Sequence, residues 1–195
     1  MARTKAFDPD AALASALDVF WAQGYDGTST EDLVVALGIN RSSLYGTFGS
    51  KRELYCRALE RYRAVGAERL ERAFGASDGA GDVRARLRRG LLRMIDEDLR
   101  AVRARGCFAA NAALELAPAD AGVRDLVAAS FRDTRAVLRA ELTRAREEGE
   151  LAPDADVEAL SAHLFALLQG LQVVAKGTGD RLLIERALDA ALTTV

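Results

Sequence analysis

Helix start and stop signals recur at short intervals between residues 24 and 54, and they limit what this chain can fold into more than any other feature. Gly24 ends a stretch from about Pro9 to Gln23 in which Leu13, Ala16, Leu17, Phe20 and Trp21 recur at helical spacing, with Asp8 as cap and Pro9 in the first turn. Ser29 is then followed by Asp32, a capping-box variant opening a second helix with Leu33, Val34 and Leu37 as buried candidates. Gly38 stops it in a left-handed conformation. Asn40 caps a third helix, Arg41 to Phe48, and Ser50 with Glu53 opens a fourth that runs to about Phe74. A chain stopped and restarted this often forms short helices folded against one another.

The remainder is also helical. The 195 residues include only 3 prolines, and no alternating apolar run reads as a strand. Segments at about 83–104, 106–116, 120–148, 155–176 and 180–193 carry helical periodicity. The fold class is all-α. "GASDGAGD", residues 75–82, reads as a linker. It divides an N-terminal domain of closely spaced helices at 1–55, whose exit helix continues to about 74, from a helical domain at 75–195.

Composition excludes several functions. A net charge of −2 and a pI near 5.6 give no bulk case for nucleic-acid binding, so any basic surface must be local. Two cysteines, Cys56 and Cys107, lack metal-site spacing, and there is one histidine, His163. No nucleophile–base pair or nucleotide-binding glycine loop is evident, so neither an enzyme nor a cofactor is expected. Charges lie too deep in the N-terminal segment for a signal sequence, and no run reads as membrane-spanning. A cytoplasmic protein is expected.

Function concentrates in the third helix. Two helices joined by a short glycine-containing turn make a helix-turn-helix, whose second helix must be anchored inside and small or polar outside to enter a major groove. Leu44 and Phe48 can anchor it. Arg41, Ser42, Ser43, Tyr45, Gly46 and Thr47 are left for the groove and its walls, and Lys51 sits among free amides that suit a phosphate. Arg3 and Lys5 could add contacts from an N-terminal arm. The rival reading is a helical small-molecule-binding protein or enzyme that does not act on DNA. The two differ in charge placement: DNA binding requires Arg41, Tyr45 and Lys51 on one exposed surface.

"TSTEDLVVALGINRSSLYGTFGSKREL" resembles the DNA-binding domain of the tetracycline-repressor (TetR) family of bacterial transcription regulators. The shared features are the Thr/Ser start, Asp32–Leu33, Ala36, Gly38–Ile39, Asn40, Leu44–Tyr45, Phe48, Ser50–Lys51 and Leu54. Val34, where the family usually has Ala, and Gly46–Thr47, in place of a bulkier pair, depart from it. The resemblance implies a dimeric repressor bound to double-stranded operator DNA, with a four-helix dimer bundle built from residues 155–193 of each subunit. The wide apolar faces of those two segments fit that pairing, although they could also pack within their own subunit.

The middle helices should hold an unknown small-molecule or electrophile effector. Cys107 follows Gly106 at an expected helix start with Arg103 and Arg105 nearby, surroundings that favour a thiolate. Gly-Cys-aromatic also resembles members of the family that respond to electrophiles or oxidants. The alternative is that Cys107 is a small buried hydrophobe, and Cys56 reads as packing. Asn111, one turn beyond Cys107, could be a polar group in a pocket, and Phe108, Leu114, Phe131, Leu138, Phe165, Leu168 and Gln169 are candidate walls, although ordinary core is the better reading of each taken singly. His163 is expected at a surface or pocket rim.

Overall fold

A computed structural model describes residues 7–75, 81–99 and 105–195. Among these residues the secondary structure is nine helices and no strand. They are α1 (Pro9–Gln23), α2 (Thr30–Leu37), α3 (Arg41–Phe48), α4 (Lys51–Phe74), α5 (Val83–Leu99), α6 (Phe108–Glu115), α7 (Ala121–Glu147), α8 (Val157–Thr178) and α9 (Arg181–Leu192). Arg3, Lys5, Arg103 and most of the 75–82 linker lie outside the described residues.

The capping signals act as the sequence implies. Asp8 accepts from the Asp10 amide, and Ser29 and Asp32 form a reciprocal capping box. Gly38 stops α2 at φ +62°, and Asn40 accepts from the Ser43 amide at 2.8 Å. The Ser50 box differs in detail. Its Oγ accepts from the Glu53 amide at 3.1 Å and donates to the Glu53 carboxylate at 3.0 Å, while the Ser50 amide donates to the Phe48 carbonyl.

The chain divides into two compact units. The first contains the described residues up to Val65 and, from far along the chain, Phe108–Ala128. It therefore holds α1, α2, α3, α6 and the opening stretches of α4 and α7. Its core is aromatic. Phe108 is fully buried, with ring centroids 5.4 Å from Tyr55 and 5.7 Å from Tyr62, and Phe20 meets Tyr55 edge-on at 5.0 Å. Edge-to-face pairs of this kind add geometric specificity to burial. Leu33, Leu44 and Leu54 are also fully buried in this unit, whereas Val34 and Leu37 are only half-buried.

The second unit comprises Gly66–Cys107 and Ala129–Val195, and its core is aliphatic. Leu87, Leu91 and Ile95 of α5, Leu138 and Leu142 of α7, Leu164 and Leu168 of α8, and Ile184 and Leu188 of α9 fill it. Helix α8 is long and apolar enough to span a membrane by length and composition, which corrects the expectation that no run reaches that size. Its stripe Val157, Ser161, Leu164, Leu168, Leu171 and Ala175 is instead packed inside the unit, against α5 and α9. Apolar side chains also stay outside: Val173 is 59% exposed, Leu182 56% and Leu183 47%. At residues 106–116 the helix starts two positions late. Gly106 takes φ +64°, a left-handed conformation that delays helix entry, and α6 opens at Phe108 with buried Cys107 just before it.

Candidate nucleic-acid interface

Helix α3 is eight residues, about 12 Å long at helical rise, with opposite faces of different character. Leu44 and Phe48, one turn apart, are buried. Arg41, Ser42 and Gly46 are exposed, and Ser43, Tyr45 and Thr47 are half-buried along the flanks. Gly46 has open space where a Cβ would stand, so nothing in the fold requires a glycine there.

The outer face is held by contacts from neighbouring helices. The Tyr45 hydroxyl lies 2.9 Å from the Thr30 hydroxyl at the start of α2. That hydrogen bond favours the phenolate and holds Tyr45 below the ordinary phenol range. Arg41 pairs with Glu31 of α2 at 3.6 Å, both side chains mostly exposed. On α4, the Arg57 guanidinium stands over the Phe48 ring at 5.7 Å and reaches the Thr47 carbonyl at 3.5 Å, placing a cation at the C-terminal end of α3. The Lys51 ammonium rests 4.3 Å from the centroid of the Tyr25 ring. Thr30, Glu31, Arg57 and Tyr25 are supports that the sequence does not signal. Their contacts cross between helices, and no local pattern announces them.

Two carboxylates from late in the chain also belong to this unit. Glu115, at the end of α6, accepts from the Tyr25 and Asp26 amides at 2.8 Å each. Asp120 accepts from Arg52 through two guanidinium nitrogens, one at 2.8 Å, and caps α7 through the Val123 amide. Arg52 holds the Asp120 carboxyl well down, at about 2.

The other expected site residues are divided between the units. Phe108 is in the aromatic core of the first unit, and Asn111, half-buried on α6, belongs to the same unit. Leu114, expected to line a pocket, is instead 80% exposed. In the second unit Phe131 of α7 and Phe165 of α8 meet edge-on at 5.2 Å. Gln169, one turn beyond Phe165, has a buried Oε1 with no hydrogen-bond partner. Leu138 and Leu168 are buried core residues of this unit, and His163 is exposed. Cys107 is buried; Cys56 is half-buried, and burial pushes its thiol up. Among the described residues no cluster of three or more His, Cys, Asp or Glu could hold a metal ion.

An inwardly anchored helix presented by a capped turn after another helix is the geometry of a helix-turn-helix. Residues 12–58 match the bacterial regulatory proteins of the tetR family, and residues 83–191 match the tetracyclin repressor-like C-terminal domain. The chain is 32% identical to the uncharacterized HTH-type transcriptional regulator YezE of Bacillus subtilis (strain 168), with 100% of both chains covered. It is 28% identical to the HTH-type transcriptional repressor ComR of Escherichia coli (strain K12), over 99% of this chain and 90% of that one. A cysteine-mutant form of the TetR family regulator CifR, solved with 26-base-pair operator DNA, superposes with a TM-score of 0.84 at 34% identity, covering 98% of each chain. The chain belongs to the TetR family and is a DNA-binding transcriptional regulator.

Proposed function

We propose that the protein is a dimeric repressor that reads its operator through α3 and is released by a small molecule bound in the helical second unit. The observation that carries the DNA-reading part is the two-sided α3, with Leu44 and Phe48 inside and Arg41, Ser42 and Gly46 outside. Arg41, Tyr45 and Lys51 would meet phosphates or a guanine edge, and Ser42, Ser43, Gly46 and Thr47 the groove and its walls. The repressor relatives and the operator complex of CifR support this reading. Substituting Arg41 should relax base preference, and substituting Lys51 should weaken binding uniformly across sequences; selection from random-sequence duplexes measures both. Absence of any salt-dependent preference among the duplexes would overturn the reading.

Dimerisation through residues 155–193 is supported by the apolar residues that α8 and α9 leave exposed after filling their own core: Val173, Leu182 and Leu183. Two copies would place their α3 helices about 34–36 Å apart, one DNA turn. Replacing Leu182 and Leu183 together by Glu should give monomers in sedimentation and remove operator binding.

For the effector, the Phe131–Phe165 pair and the unpartnered Gln169 carbonyl favour a flat apolar molecule carrying one hydrogen-bond donor. An effector works only if it prefers one of two conformations of the protein. A second reading keeps Cys107 as the sensor. It is supported by the left-handed turn at Gly106 that sets the thiol at the entrance of α6, and by the use of cysteine mutants for CifR. Operator release by an electrophile should persist in Cys56→Ser and vanish in Cys107→Ser; persistence in Cys107→Ser removes the sensor reading.

A further inference from the structure

We infer that Glu115 is a positioning residue for DNA binding: through the backbone at Tyr25 it seats the ring on which the Lys51 ammonium rests. This inference rests on the reading that Lys51 meets a phosphate. The Glu115 carboxylate takes the Tyr25 and Asp26 amides at 2.8 Å each, across 90 and 89 residues of sequence. Two charge-assisted hydrogen bonds to successive amides fix the direction of the backbone as well as its position. Gly24 makes the close approach tolerable. Its φ is +79°, and a Cβ there would stand 2.9 Å from both carboxylate oxygens.

The fixed backbone carries a fixed ring. Tyr25 meets Tyr55 edge-on at 5.1 Å and stacks on Phe20 at 6.3 Å. The Lys51 ammonium lies 4.3 Å from the centroid of the same ring. Lysine is a flexible point charge, and a prepared seat reduces the freedom it must lose on meeting a phosphate. Glu115 thus acts on a cation it does not touch.

The sign of the effect separates a positioning role from a field effect. Removing a negative charge strengthens a protein's attraction for DNA if the charge acts only through its field. Removing a positioning carboxylate weakens binding. The experiment is a salt titration of full-length protein on a duplex selected from random-sequence DNA, followed by fluorescence anisotropy. Lys51→Met should make the slope of log K against log salt shallower by about 0.9, one phosphate contact. Glu115→Gln should weaken binding and move the slope the same way, and the double variant should bind no worse than Lys51→Met. Tyr25→Leu, which keeps the amide and removes the ring, should copy Glu115→Gln and serves if that variant does not fold. Tighter binding by Glu115→Gln, an unchanged slope, or losses that multiply in the double variant would overturn the inference. Should Lys51→Met itself leave slope and affinity unchanged, the phosphate reading of Lys51 falls, and this inference with it.

Discussion

The two units are both helical, yet they are held together by different chemistry. In the first, helices begin on Asp8, Ser29, Asn40 and Ser50, and the Leu and Ala core is threaded by aromatic rings, several meeting edge to face. In the second, Leu, Ile and Val fill the core, and the directional contacts, such as the caps at Asp156 and Asp180 and the Arg86–Glu150 pair, lie around it. The Phe131–Phe165 pair lies beside that core only partly buried. Both units cap their helices with side chains, so the difference lies in the cores: ring geometry defines one arrangement, whereas aliphatic packing fills volume and tolerates rearrangement more readily. A reading head needs the first property and a regulated domain the second. The proposed division of labour would then rest on the kind of core, not on secondary structure.

The largest expected effects test that contrast directly. Phe108→Ala removes a fully buried ring that touches Trp21, Tyr55 and Tyr62, and should cost about 3–5 kcal/mol. Leu91→Ala, in the aliphatic core, should cost about 2–5 kcal/mol. Denaturant unfolding measures both. Operator affinity, measured where each variant remains folded, separates the units: the Phe108 change should lower it and the Leu91 change should spare it. Equal losses of affinity would erase the proposed division.

Smaller in stability but closer to DNA is the cap of α3. Asn40→Ala leaves the Ser43 amide without its partner and should cost about 1 kcal/mol. Because α3 is only eight residues long, fraying of its first turn would displace Arg41 and Ser42, so binding should weaken too. Gly46→Ala should run the other way for stability. The position is helical, exposed and unobstructed, so alanine should add about 0.5–1 kcal/mol. Its methyl would stand on the exposed side, which the proposed function places against the groove, so base preference near it should change while the fold tightens. Parallel thermal melts and duplex selection show whether Gly46 is kept for reading or for folding.

Much of the fold and part of the candidate site are legible in the amino-acid sequence, and the limit has a physical cause. Helix ends depend on residues within a turn of one another, so Ser29–Asp32, Gly38, Asn40 and Ser50–Glu53 can be read directly. The side of α3 that faces inward follows from the spacing of Leu44 and Phe48. Distant partners carry no such signature. Nothing around Glu115 announces the Tyr25 amide, and nothing around Phe108 tells a pocket wall from the core of the first unit. Leu114 shows the same failure from the other side, an apolar residue in an apolar helix left facing out.

The smallest effect concerns the exposed tie between Arg52 and Asp120, which joins α4 to the start of α7 within the first unit. Arg52 holds the Asp120 carboxyl at about 2, against an ordinary value of 3.8. A carboxyl depressed by folding stabilises the folded form above its unfolded pKa and loses that contribution as pH falls through the folded value. The contribution of the carboxylate should therefore be complete above about pH 5 and gone near pH 1. Asp120→Asn should be less stable than the parent at neutral pH, and the difference should close over that interval in pH-dependent unfolding. A gap that persists at pH 1 would assign Asp120 to its other contact, the cap on the Val123 amide, which an asparagine side chain can retain only in part.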